Sequence, residues 1–110
     1  MNTRDLSLPA SSADDAPTLA DADDEAIGRH LGELIGFRRD LHANPELRYE
    51  EHRTAECVAQ ALRALGLAVD TGLGGTGVVA TLRGRGPRAA APDRAIALRA
   101  DMDALPVAEA

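Results

Sequence analysis

The chain has 110 residues, room for one domain at most, and its 45% hydrophobic content is globular rather than disordered. Phe37 and Tyr49 are its only aromatics, which argues against a module that stacks nucleic-acid bases, and all 12 basic residues are Arg, which excludes Schiff-base or P-loop lysine chemistry. The net charge of −6 belongs to residues 1–26, where seven acids face Arg4 alone; residues 27–110 balance eleven acids against eleven arginines, so no cationic partner is implied for the folded part.

Residues 1–24, rich in Ala, Asp, Ser and Pro, have little to bury and are expected to be a disordered acidic tail. Folded structure is expected over 25–110. Ile27, Leu31, Leu34, Ile35 and Leu41 follow a 3.6-residue stripe and predict a helix from about 25 to 42. Asn44-Pro45 ends it, because a residue before proline is pushed out of the α region. A second helix is predicted from about 50 to 65, with Ala55, Val58, Ala59, Leu62 and Leu65 on its buried face and Gly66 as the residue that closes it. The period then shortens. Leu67 to Val69 is a short strand, Gly72 to Gly75 a turn, and Gly77 to Leu82 a second strand. Residues 84–94 form a loop, and Ala95 to Ala100 is a third, apolar strand of the kind buried within a sheet. The order is α-α-β-β-β.

Nothing near the start combines a basic stretch with an apolar run, and no segment has the apolar length to cross a bilayer, so a soluble cytoplasmic protein is expected. Cys57 is the only cysteine, so no intrachain disulfide can form, and its place beside Val58 suits a small buried hydrophobe better than a reactive thiol. Gly72-Leu73-Gly74-Gly75-Thr76-Gly77 matches G-x-G-x-x-G letter by letter, but Val78 to Leu82 are strand-like where that motif needs a helix N-terminus for the pyrophosphate. A turn is the better expectation. His42, at the end of the first helix, has no second ligand at usable spacing and suits the negative end of the helix dipole. Arg38 and Arg39 suit a solvated face.

Asp101 and Asp103 are the candidate site residues. In an extended segment, positions i and i+2 project to one side, and the end of a buried strand is where open α/β sheets place ligands. Two carboxylates there can ligate a cation or orient a histidine that does. The alternative is that they only begin a turn before Pro106. On spacing alone the two stand level.

The ordered set Arg38-Arg39-Asp40-Leu41-His42-Ala43-Asn44-Pro45-Glu46-Leu47, Glu50-Glu51, Thr54-Ala55, Gly74 to Ala80 and Leu98 to Pro106 resembles the opening of the metal-dependent aminoacylase and carboxypeptidase family, and within it the hippurate hydrolase type. The likeness covers about residues 33–109. It implies the first part of an α/β, mixed-sheet dinuclear metallohydrolase domain, with two zinc or manganese ions and a smaller inserted domain that makes a homodimer. The substrate would be a small N-acyl amino acid whose amide bond is hydrolysed, with neither nucleic acid nor membrane as partner. It also implies that the main metal ligands lie on a Cys-Gly-His segment and on later Glu and His residues, none of them within these 110. Only Asp101 and Asp103 carry over, as supports near the metals, Asp103 the stronger. Two alternatives stand beside the amidohydrolase: a truncated, non-catalytic product, and an interaction module on a borrowed fold.

Overall fold

The computed structural model describes residues 19–87, 89 and 94–108. The chain divides into two units, one ending at Arg38 and the other running from Arg39. The elements are α1 (Leu19–Ala43), α2 (His52–Ala64), β1 (Ala68–Leu73) and β2 (Gly77–Thr81).

Helix α1 starts six residues before the expected boundary. Leu19, Ala20, Ala22 and Glu25 are good helix formers, and acids near a helix start favour its positive dipole end; composition had assigned these residues to the tail. The rest of the expected tail, residues 1–18, lies outside the described residues. In the first unit Ile27, Leu31 and Leu34 remain at least half exposed and Ile35 is half-buried, so the predicted stripe is only partly covered among the described residues.

The second unit is built on α2. Ala55, Val58 and Leu62 are half-buried and Ala59 fully buried, as the periodicity predicts, whereas Leu65 lies past the last helical turn and is exposed. Gly66 closes the helix as expected. Its N–H donates to the Arg63 carbonyl at 2.9 Å, the Leu67 N–H donates to that of Leu62 at 3.4 Å, and its φ of 79° is one that glycine adopts without strain.

Strands β1 and β2 pair antiparallel, with Val69 opposite Ala80 and Thr71 opposite Val78. The half-buried residues Val69, Val78 and Ala80 fall on one side, and α2 packs against both strands. A register shift between Thr71 and Leu73 lets β1 run on to Leu73, so the turn sits at 74–76 rather than 72–75. Gly77 is tightly placed, since a Cβ there would collide with the Leu73 carbonyl oxygen. Gly77→Ala is therefore expected to destabilise the hairpin by about 1–3 kcal/mol. Faster hydrogen exchange across the β1–β2 ladder would report it, and unchanged exchange would contradict it.

The predicted third strand is not formed. Residues 94–100 carry no ladder, and Ile96 and Leu98 are 94% and 97% exposed. A strand cannot satisfy its own backbone N–H and C=O groups, and among the described residues this segment has no neighbouring strand. Among the described residues its backbone anchor comes later, as a parallel bridge between Leu47 and Ala104. The architecture is therefore mixed α/β, with the described order α-α-β-β.

Candidate functional site

The second unit carries a polar framework along the motif residues. At the end of α1 the Asn44 side chain donates from Nδ2 to the Asp40 carbonyl at 2.9 Å, satisfying a helix-terminal acceptor. The Asp40 carboxylate accepts from Arg53 Nη2 at 3.0 and 2.9 Å, tying the last turn of α1 to the first turn of α2.

The start of α2 is capped from a distance. Glu51 occupies the N-cap position but makes no side-chain cap. Instead Glu46 Oε2 accepts from the Arg53 N–H at 3.0 Å, and Glu46 Oε1 accepts from the Thr54 N–H and hydroxyl, both at 2.6 Å. One carboxylate thus satisfies two orphan donors of the first turn and places negative charge at its positive end. Glu51 is 7% exposed and is turned toward the hairpin, where its Oε2 accepts from the Thr76 hydroxyl at 2.6 Å. Thr54 and Thr76 are also buried. The connecting loop is stiff: the Glu50 N–H donates to the Leu47 carbonyl at 2.9 Å, and Tyr49 is held at φ 63°, in the left-handed region.

Both carboxylates are held below the usual range, Glu46 chiefly by the hydroxyl and then the backbone N–H of Thr54, Glu51 chiefly by the Thr76 hydroxyl. Because the folded state lowers both values, their contribution to stability is full above the ordinary value of 4.5 and is lost as pH falls below it through the depressed folded values. In an NMR pH titration the Arg53, Thr54 and Thr76 signals should hold steady down to 4.5 and move only below it. Movement centred above that value would contradict the assignment.

Asp101 and Asp103 are both exposed. Asp101 Oδ1 accepts from Arg99 Nη2 at 2.9 Å, in a pair that water screens on both sides. Their segment is placed by Ala104, whose N–H donates to the Glu46 carbonyl at 2.7 Å beside the bridge to Leu47. The two candidate aspartates are thus brought next to the Asn44-Pro45-Glu46 loop. Among the described residues no three His, Cys, Asp or Glu side chains lie together in a way that could hold a metal ion. The resemblance places the main metal ligands on segments other than these, and the described residues offer no ligand set of their own.

His42 lies in the last turn of α1, and Cys57 is half-buried with a free thiol. Arg38 and Arg39 are exposed. The glycine-rich turn is followed by β2, so no helix begins within it, and the start of α2 meets it through the Glu51 carboxylate, which carries the same sign of charge as a phosphate. A shallow groove of about 220 Å³ beside it, lined in part by His52, Glu56, Thr71 and Gly75, is smaller than a typical small-molecule pocket of about 300–1,000 Å³. Sequence reasoning gave no role to Glu46, Glu51, Thr54 or Thr76. A local capping rule looks for an acceptor at the N-cap, and here it stands five residues earlier.

No family model and no solved structure matches the chain. Curated relatives do. A thermostable carboxypeptidase of Saccharolobus solfataricus is 49% identical over 77 residues, covering 69% of this chain and 18% of its own length. The hippurate hydrolase of Campylobacter jejuni is 46% identical over 78 residues, 71% of this chain and 19% of its own. An N-acyl-L-amino acid amidohydrolase of Geobacillus stearothermophilus is 42% identical over 77 residues, 70% of this chain and 20% of its own. One relative, from Rhodococcus jostii, is named instead a putative glutamate–cysteine ligase; it is 50% identical over 76 residues, but they are only 9% of its length. The chain thus spans about a fifth of the length of the relatives named as hydrolases. Over this segment, the chain matches, as a fragment, the aminoacylase and carboxypeptidase family that its motifs resemble.

Proposed function

We propose that the chain is part of an amidohydrolase that hydrolyses the amide bond of small N-acyl amino acids of the hippurate kind. The observation that carries this is the match at 42–49% identity to relatives named as a carboxypeptidase, a hippurate hydrolase and an N-acyl-L-amino acid amidohydrolase. All three names describe hydrolysis at an amide next to an amino acid.

The polar framework fits a supporting role in such an enzyme. Asp40, Glu46, Glu51 and Arg53 join elements to one another, and Asn44 closes the end of α1. Asp101 and Asp103 are the residues that the family resemblance assigns to the site, as carboxylates that orient groups around the reacting amide. The divalent metals of the family, zinc or manganese, would need ligands other than those described here, and no step of the hydrolysis is assigned to these residues. A cytoplasmic homodimer is the assembly that goes with this proposal.

The test is to express the whole reading frame that contains this chain and assay N-benzoylglycine and a panel of other N-acyl amino acids with zinc or manganese supplied. Release of the free amino acid is expected. Failure to hydrolyse any member of the panel, by a folded and metal-loaded protein, would overturn the proposal.

A further inference from the structure

We infer that Glu46 is a positioning residue that couples the segment carrying Asp101 and Asp103 to the first turn of α2. The significance of this coupling rests on the proposal that the segment borders the active site; the coupling itself is a property of the fold. Glu46 meets the two elements through different groups. Its carboxylate accepts the Arg53 N–H, the Thr54 N–H and the Thr54 hydroxyl, at 3.0, 2.6 and 2.6 Å. Its carbonyl accepts the Ala104 N–H at 2.7 Å, one residue after Asp103, and the next residue, Leu47, bridges to Ala104.

No other backbone anchor to a distant part of the chain is present for residues 94–108 among those described. Ala89 and Val107 bond only to residues two or three positions away, and Arg99 and Asp101 pair with each other on the surface. Where the two aspartates stand is therefore decided at the Glu46–Leu47 pair. The Glu46 backbone is in turn fixed by its side chain, because three short hydrogen bonds to a buried threonine and its neighbour leave the residue little freedom. Pro45 on one side and the stiff loop up to Glu51 on the other add to this. A change at Thr54, whose side chain bonds to Glu46 and not to residues 101–104, should thus be felt at Ala104 through Glu46.

The experiment is amide exchange by NMR, on the protein expressed from the whole reading frame that contains this chain, comparing wild type with Glu46→Gln and Thr54→Val. Thr54→Val keeps the shape and the backbone N–H but removes the hydroxyl donor. Both variants are expected to speed exchange at Ala104, Glu46→Gln on the order of tenfold and Thr54→Val by less, while the β1–β2 ladder amides stay as in wild type. A residue that only capped α2 would loosen Arg53 and Thr54 and leave Ala104 alone. That result, or no change at any of these amides, would overturn the inference. If Glu46→Gln unfolds the chain, Thr54→Val decides by the same criterion. Because none of these readings needs catalysis, they stand or fall separately from the amidohydrolase proposal.

Discussion

Heating the 110-residue chain should give a broad, shallow loss of structure with no sharp midpoint. Among the described residues Ala59 is the only buried hydrophobic, and no large side chain is fully enclosed. Leu65, Leu82, Ile96, Leu98, Leu105 and Val107 are all at least two-thirds exposed. Fully burying a side chain of this kind is worth about 1.5–3 kcal/mol, and here that gain is largely forgone. Ordering the backbone still costs about 1–2 kcal/mol per residue. The hydrogen bonds around Glu46 and Glu51 can fix local geometry, but they do not replace a core. The open apolar run at 96–98 should also promote association. Circular dichroism with heating, at several concentrations, is the check. A sharp, reversible transition from a monomer would contradict this account of the packing.

The second large effect is expected at Asp103, in the protein expressed from the whole reading frame. A carboxylate that orients a metal ligand is typically worth about 10–100-fold in affinity or activity. Asp103→Ala is therefore expected to lower turnover by at least about that factor, with Asp103→Asn between it and wild type. Asp103 is exposed in this structure, so its removal opens no cavity and the thermal profile should hardly move. Asp93→Ala, in the 84–94 loop and outside the described residues, is the control expected to be silent. Full turnover by Asp103→Ala would reduce Asp103 to a turn residue.

What could be read in the sequence was local. The limits of α2 followed from a hydrophobic stripe and a glycine, and the Gly66 closure from the rule that a left-handed residue ends a helix. The glycine-rich turn was separable from a nucleotide loop because the residues after it are β-branched. What could not be read was the pairing of distant residues. The 95–100 run has the composition of a buried strand, yet composition does not say what lies beside it, and here nothing described does. Glu51 and Thr76 are 25 positions apart, and Ala104 finds Glu46 across most of the unit. Asp101 and Asp103 were expected at the end of a buried strand; no strand precedes them and both are exposed, and the bond that anchors their segment was invisible. The start of α1 was missed because residues 19–24 offer little to bury and were placed with the tail, although acids near a helix N-terminus are favourable.

The central claim is that these residues form a scaffold that does not itself catalyse, and one assay tests it most directly. A catalytic metal site normally needs three protein ligands, and among the described residues no such group exists. The purified 110-residue chain should be incubated with N-benzoylglycine, with and without zinc or manganese, and the glycine released should be measured. The account predicts a rate indistinguishable from metal alone. Saturable hydrolysis above that blank, retained through purification, would contradict it.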